Sequence, residues 1–152
     1  MVANTDGPYI QVSCFCEKVI EDKSGVLSLI RIIDTLEHGA AGPTPPNDMP
    51  PFSFSLTLVL MLKSGAARGR YNLRVVPELP NGTGHEPFLA TVHFEGEEKG
   101  QNIVMSLNFQ FTLEGLYWFN VYIDETKLTA IPLRVKYNRV VIGSSALPQI
   151  RQ

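Results

Sequence analysis

Cys14 and Cys16 are the residues in this chain whose type and spacing most invite chemistry. In an extended segment both sulfurs project from one face, where they could close a disulfide or hold a metal. Their α-carbons would stand roughly 6.5–7 Å apart with the side chains nearly parallel, at or beyond the limit for a disulfide. Zinc would need two more ligands, and the sequence holds no second cysteine pair and no closely spaced histidine pair. The pair therefore reads as two small buried hydrophobes, with no metal and no cofactor implied. His38 and His85 border loops, and His93 falls on the polar side of an alternating run. No Ser or Cys occupies a G-x-S-x-G elbow. The Gly65–Gly69–Arg70 segment lacks the Lys-Ser/Thr pair of a phosphate loop. Asp34, Glu37 and Asp48, and the run Glu95, Glu97 and Glu98, lack the carboxylate density of a calcium site. Asn81-Gly82-Thr83 reads as an Asn-Gly turn. No catalytic residue is assigned, although a triad assembled from distant residues is a matter for the tertiary structure.

Residues suited to contact are easier to find. Trp118 and Tyr122 fall on the face opposite Tyr117, Phe119, Val121 and Ile123. If that face meets water, they form an aromatic anchor pair of the kind enriched at interfaces. Pro45 and Pro46 lie in a proline-rich stretch that could be held out as a polyproline segment or be a plain surface linker. Val141, Ile142 and Leu147 keep an apolar character in the C-terminal tail. That tail is expected to add an edge strand, dock on its own domain or reach a partner by strand addition.

The elements that must position these residues are strands. From Asn102 to Leu113 apolar and polar residues alternate strictly, Glu114-Gly115 turns the chain, and Leu116 to Asp124 alternates again. Ile131, Leu133, Val135 and Tyr137 then share one face. Period-two patterning of this kind marks half-buried antiparallel strands. Earlier runs are Tyr9 to Glu17, Val26 to Leu36, Phe52 to Lys63, Tyr71 to Val75 and Phe88 to Phe94. Val26 to Leu36 is apolar on both faces and is expected to be a central strand. The stretch 39–51, rich in proline and glycine, is expected to be a loop rather than a ladder strand. A two-residue turn at Glu125-Thr126 would set the apolar face of one strand against the polar face of the next, so a bulge is expected near Pro132. The expected fold is all-β: a two-sheet antiparallel sandwich of immunoglobulin-like type with about eight strands. Gly115-x-Tyr117 is similar to the tyrosine corner of such sandwiches.

At 152 residues the chain is expected to be one domain, 1–152, with the proline-rich loop at 39–51 and the tail at 138–152. Thirteen basic against fifteen acidic residues supply no field to attract nucleic acid. The longest apolar run, Leu58 to Leu62, is far shorter than the roughly 20 residues of a membrane helix, so no membrane partner is expected. The first residues lack the basic and apolar regions of a signal peptide, and two cysteines suit a reducing compartment; a cytoplasmic location is expected.

Cys14 to Glu17, followed by Gly25-Val26-Leu27-Ser28-Leu29-Ile30-Arg31-Ile32-Ile33-Asp34, resembles the opening of a bacterial family of small proteins known as a domain of unknown function. Gly115-Leu116-Tyr117-Trp118-Phe119 and Ile131-Pro132-Leu133-Arg134-Val135 are similar to that family's ending. The resemblance runs from about Ile10 to Tyr137 and implies a sandwich with no established chemistry. The expected function is a non-catalytic module that binds another protein or its own copies, or an accessory subunit of a larger assembly. The alternative is a small-ligand or carbohydrate-binding sandwich with Trp118 as a stacking platform beside Asn120 and Gln110.

Overall fold

The computed structural model describes residues 6–143, and over that span the chain is all-β. Nine strands run in the order β1 (Tyr9–Glu21), β2 (Leu27–Ile33), β3 (Thr35–Gly42), β4 (Phe52–Gly65), β5 (Gly69–Glu78), β6 (Phe88–Phe94), β7 (Glu97–Phe111), β8 (Gly115–Ile123) and β9 (Thr126–Val141). They form a four-stranded sheet ordered β2-β1-β4-β7 and a five-stranded sheet ordered β3-β9-β8-β5-β6.

The two sheets meet through the alternating residues. Leu56, Leu58, Leu60 and Leu62 of β4 are buried, as are Tyr117, Phe119, Val121 and Ile123 of β8. Aromatic rings bridge the layers: Phe15 lies 4.8 Å from Phe119 between centroids, Phe109 lies 5.6 Å from Phe119, and Phe111 lies 5.1 Å from Tyr117. Burying each such side chain contributes about 1.5–3 kcal/mol, so these rings and the aliphatic residues around them hold the sheets together.

The expectation of a wholly antiparallel fold is corrected at one edge. The four-stranded sheet is antiparallel, but β3 runs parallel to β9, from Thr35 opposite Arg134 to Gly42 opposite Val141. The long second strand is corrected with it. Val26 to Leu36 is two elements, because the chain leaves one sheet at Ile33 and enters the other at Thr35. The carbonyl of Asp34, at the crossing, accepts from the Arg134 amide at 3.0 Å. β2 is thus an edge strand and not a central one. Its apolar residues lie on both faces: Ile33 packs against the core and Leu27 and Leu29 are half-buried, while Ile30 and Ile32 stay exposed.

The loop expected at 39–51 is also shorter. Gly39 to Gly42 pairs along Asn138 to Val141, so small residues without apolar alternation are held by β9's backbone. Conversely, residues 138–141, placed in the tail by the sequence, belong to β9.

The bulge expected in β9 is present, at a different residue. Val121 faces Thr129 while Tyr122 faces Lys127, leaving Leu128 as the extra residue. This shift lets Phe119 face Ile131 and Tyr117 face Leu133, so both apolar faces point inward. Tyr117 ties the β7–β8 turn: its hydroxyl donates to the Leu113 carbonyl at 2.7 Å and accepts from the Leu113 amide at 3.0 Å. At the end of β4, Gly65 has φ +58° beside a register shift, and a Cβ there would strike the Asp6 carbonyl, so the site takes only glycine.

Candidate interaction surface

The outer face of the five-stranded sheet carries the Trp118 row. β8 sends Trp118, Asn120 and Tyr122 outward; register places Glu78 and Pro132 beside Trp118, Val76 and Ala130 beside Asn120, and Arg74 and Lys127 beside Tyr122. Trp118 is 38% exposed. Asn120 is buried, with its Nδ2–H donated to the Val76 carbonyl at 3.3 Å. Tyr122 is half-buried because the Arg74 guanidinium lies over its ring, 4.6 Å from the centroid. Trp118 and Tyr122 thus flank the buried Asn120 with Val76, Ala130 and Pro132 beside them, and the charged Glu78, Arg74 and Lys127 stand in the same rows.

The other candidates separate. Pro45 is buried and Pro46 exposed. Both carbonyls are taken by β9: Arg139 donates to Pro45 at 3.0 Å and the Tyr137 hydroxyl to Pro46 at 2.6 Å. The proline-rich loop is therefore tied to β9 through these two carbonyls. Val141 and Ile142 are exposed at the end of β9, with the Ile142 amide donating to the Gly42 carbonyl at 2.8 Å. Leu147 lies outside the described residues.

The residues that invited chemistry have structural settings. A register shift between Ile10 and Val12 turns Phe15 toward the core and the cysteines outward. Cys16 is buried on that outer face, opposite Thr57 and Ile32, and Cys14 is partly buried opposite Val59. Burial pushes both thiols above the ordinary value, Cys14 further by the charge of Cys16. His38 stacks on Phe52 at 4.2 Å, and His85 packs 4.7 Å from Phe109. The His93 amide donates to Gln101 at 2.7 Å. Among the described residues, no three His, Cys, Asp or Glu side chains converge to hold a metal.

Among the described residues are four clefts, none of them lined by Trp118. One, of about 750 Å³, opens beside Tyr9, Lys63, Arg68 and Glu97. A second, 450 Å³, lies where β1 parts from β4, between Glu17, Arg31, Asp34 and Phe54. The sequence pattern marks both strands of the β1–β2 hairpin next to it, but not that the hairpin outruns the sheet. β1 pairs with β4 only as far as Cys16, while its pairing with β2 continues to Glu21. The signal was present in the apolar residues on both faces of Leu27–Ile33, which equally suit a central strand and an uncovered edge.

No helix in the described residues is long and apolar enough to cross a membrane. Residues 11–136 match a family described as "Family of unknown function (DUF6941)". A search of the curated proteins finds no match to the chain.

Proposed function

Since the chain belongs to that family of unknown function, we propose, from its surface, that it is a non-catalytic protein-binding module of the cytoplasm, or an accessory subunit of a larger assembly. The observation that carries this reading is Trp118, held 38% exposed on the outer face of β8 between Pro132 and Glu78. A large aromatic ring fixed on a rigid strand loses little entropy on contact and offers a large apolar area. The fold is taken as a variant of the immunoglobulin-like sandwich, supported by the Tyr117 tie to Leu113 and by the two layered sheets. A ring platform for sugar is the weaker reading, because Trp118 stands on a strand face outside the four clefts.

The test uses a photo-crosslinking residue in place of the exposed Pro132, in the full chain expressed in its native cell. The expected result is a covalent adduct to a protein that disappears when Trp118→Ser is added. An adduct pattern indifferent to Trp118→Ser overturns the proposal. So does a blue shift of Trp118 emission on titration with oligosaccharides. Trp118 is the single tryptophan of the chain, so that emission reports this face alone.

A further inference from the structure

The β1–β2 hairpin carries four of the exposed large apolar residues on the four-stranded sheet, and β2 is one of that sheet's two edge strands, hydrogen-bonded among the described residues to β1 alone. Val26 is 61% exposed, Ile32 64%, Ile20 47% and Ile30 40%. Edge strands are ordinarily blunted by Pro, Lys or an inward charge. Leu27-Ser28-Leu29-Ile30 carries none of these, and its regular register with β1 leaves one backbone edge open. Arg31 has φ 54°, yet the register with β1 continues unshifted through Ile32 and Ile33, opposite Cys16 and Phe15.

We infer that this edge pairs with a second copy of the chain, β2 against β2 in antiparallel orientation about a two-fold axis through Leu29. Both copies must present the same face, so opposed residues have numbers summing to an even value, and the side chains select which sum. With Leu29 on the axis, Val26 of each copy meets Ile32 of the other, so the two most exposed large apolar residues of the hairpin cover each other. Ser28 meets Ile30. Ile20 sits beside Ser28 in the hairpin's own register, and the small serine lets Ile20 and the second copy's Ile30 touch across it. On the opposite face Leu27 meets Arg31. Glu21 lies beside Leu27 in the register with β1, so the second copy's Arg31 reaches a carboxylate, just as Arg31 already bonds its own Glu17 at 3.2 Å. Shifting the axis to Ile30 would set Val26 opposite Asp34 and strand that match. The same patch therefore supplies apolar cover and charge complementarity to itself, which is what a two-fold interface requires. This surface lies on the other sheet from Trp118 and is independent of it.

The experiment is sedimentation of the full chain over a concentration series, with oxidative cross-linking of Leu29→Cys. The expected result is a reversible dimer. Leu29→Cys forms a covalent dimer on oxidation under conditions that leave the native chain uncross-linked. Ile30→Lys, at an exposed position that does not threaten folding, weakens the dimer by roughly tenfold or more, because it sets a charge against an apolar neighbour twice per interface. A chain that stays monomeric at every concentration overturns the inference. So does a dimer that ignores Ile30→Lys and gives no covalent product with Leu29→Cys. A dimer broken by Trp118→Ser and not by Ile30→Lys overturns it while favouring the Trp118 face.

Discussion

Replacing Tyr117 by Phe removes one oxygen from the centre of the molecule and leaves the ring where it is. The ring keeps its contacts with Phe111 at 5.1 Å and Phe109 at 5.9 Å, so packing is unchanged. What is lost is the pair of bonds joining the hydroxyl to the carbonyl and amide of Leu113, at 2.7 and 3.0 Å. Each bond contributes about 1 kcal/mol net, and water reaches the exposed Leu113 in part, so the expected loss is about 2 kcal/mol. For a chain of this length that lowers Tm by about 4–8 °C. Urea unfolding followed by Trp118 emission measures it, and the m-value should hold because the exposed area is the same. A second readout comes from the phenol. Burial holds its pKa above the ordinary value, against the lowering effect of the bonds to Leu113 and Thr112. The folded state therefore keeps its proton longer than the unfolded chain. The stability this contributes is fully present below about pH 10, the ordinary tyrosine value, and is lost as pH rises from there through the folded pKa. The native chain should weaken over that alkaline range, and Tyr117→Phe should lack this component. A loss below about 0.5 kcal/mol, or an unchanged alkaline profile, would refute the reasoning that this turn is tied by the hydroxyl.

Cys14 and Cys16 should alkylate several-fold more slowly than free cysteine at mildly alkaline pH, and at the ordinary rate in urea, because burial disfavours both thiolates; timed iodoacetamide labelling checks this. Asp22 is held below the usual carboxylate range by the Ser24 hydroxyl first, and then by the amides of Val26 and Ser24. Its contribution to the hairpin tip is present above the ordinary Asp value and is lost as pH falls through the lowered folded one. Protection of the Ser24 and Val26 amides, taken relative to the intrinsic exchange rate at each pH, should accordingly fall in acid, and at neutral pH in Asp22→Asn. Tyr137→Phe should cost about 0.5–1.5 kcal/mol and Arg139→Ala a comparable amount. Each should also speed proteolysis between Pro43 and Pro51, since they hold the carbonyls of Pro46 and Pro45. Gly100→Ala should destabilise the β4–β7 pairing, visible as a lower urea midpoint, because a Cβ there would strike the Leu62 carbonyl.

The periodic strands were legible because alternation records a purely local fact, which face of an extended residue meets water. Phe109, Phe111, Phe119 and Leu133 are buried as their spacing requires. Even the bulge in β9 was readable, since two apolar faces had to meet; its position at Leu128 instead of near Pro132 was not. The outward aromatic pair was equally legible, although Arg74 over Tyr122 comes from another strand and no local pattern announces it.

Partnership between distant segments belongs to the tertiary structure. Gly39 to Gly42 has no strand signal of its own and is ordered by Asn138 to Val141, nearly a hundred residues away. Leu27 to Ile33 has the composition of a buried strand, yet it lies at an edge because the chain changes sheets at Asp34. Side-chain pattern states how apolar a residue's surroundings must be, and it is silent on which backbone supplies them. Neighbours along the chain therefore decide that a segment is a strand, and closure of the two sheets decides which edge of it is left open.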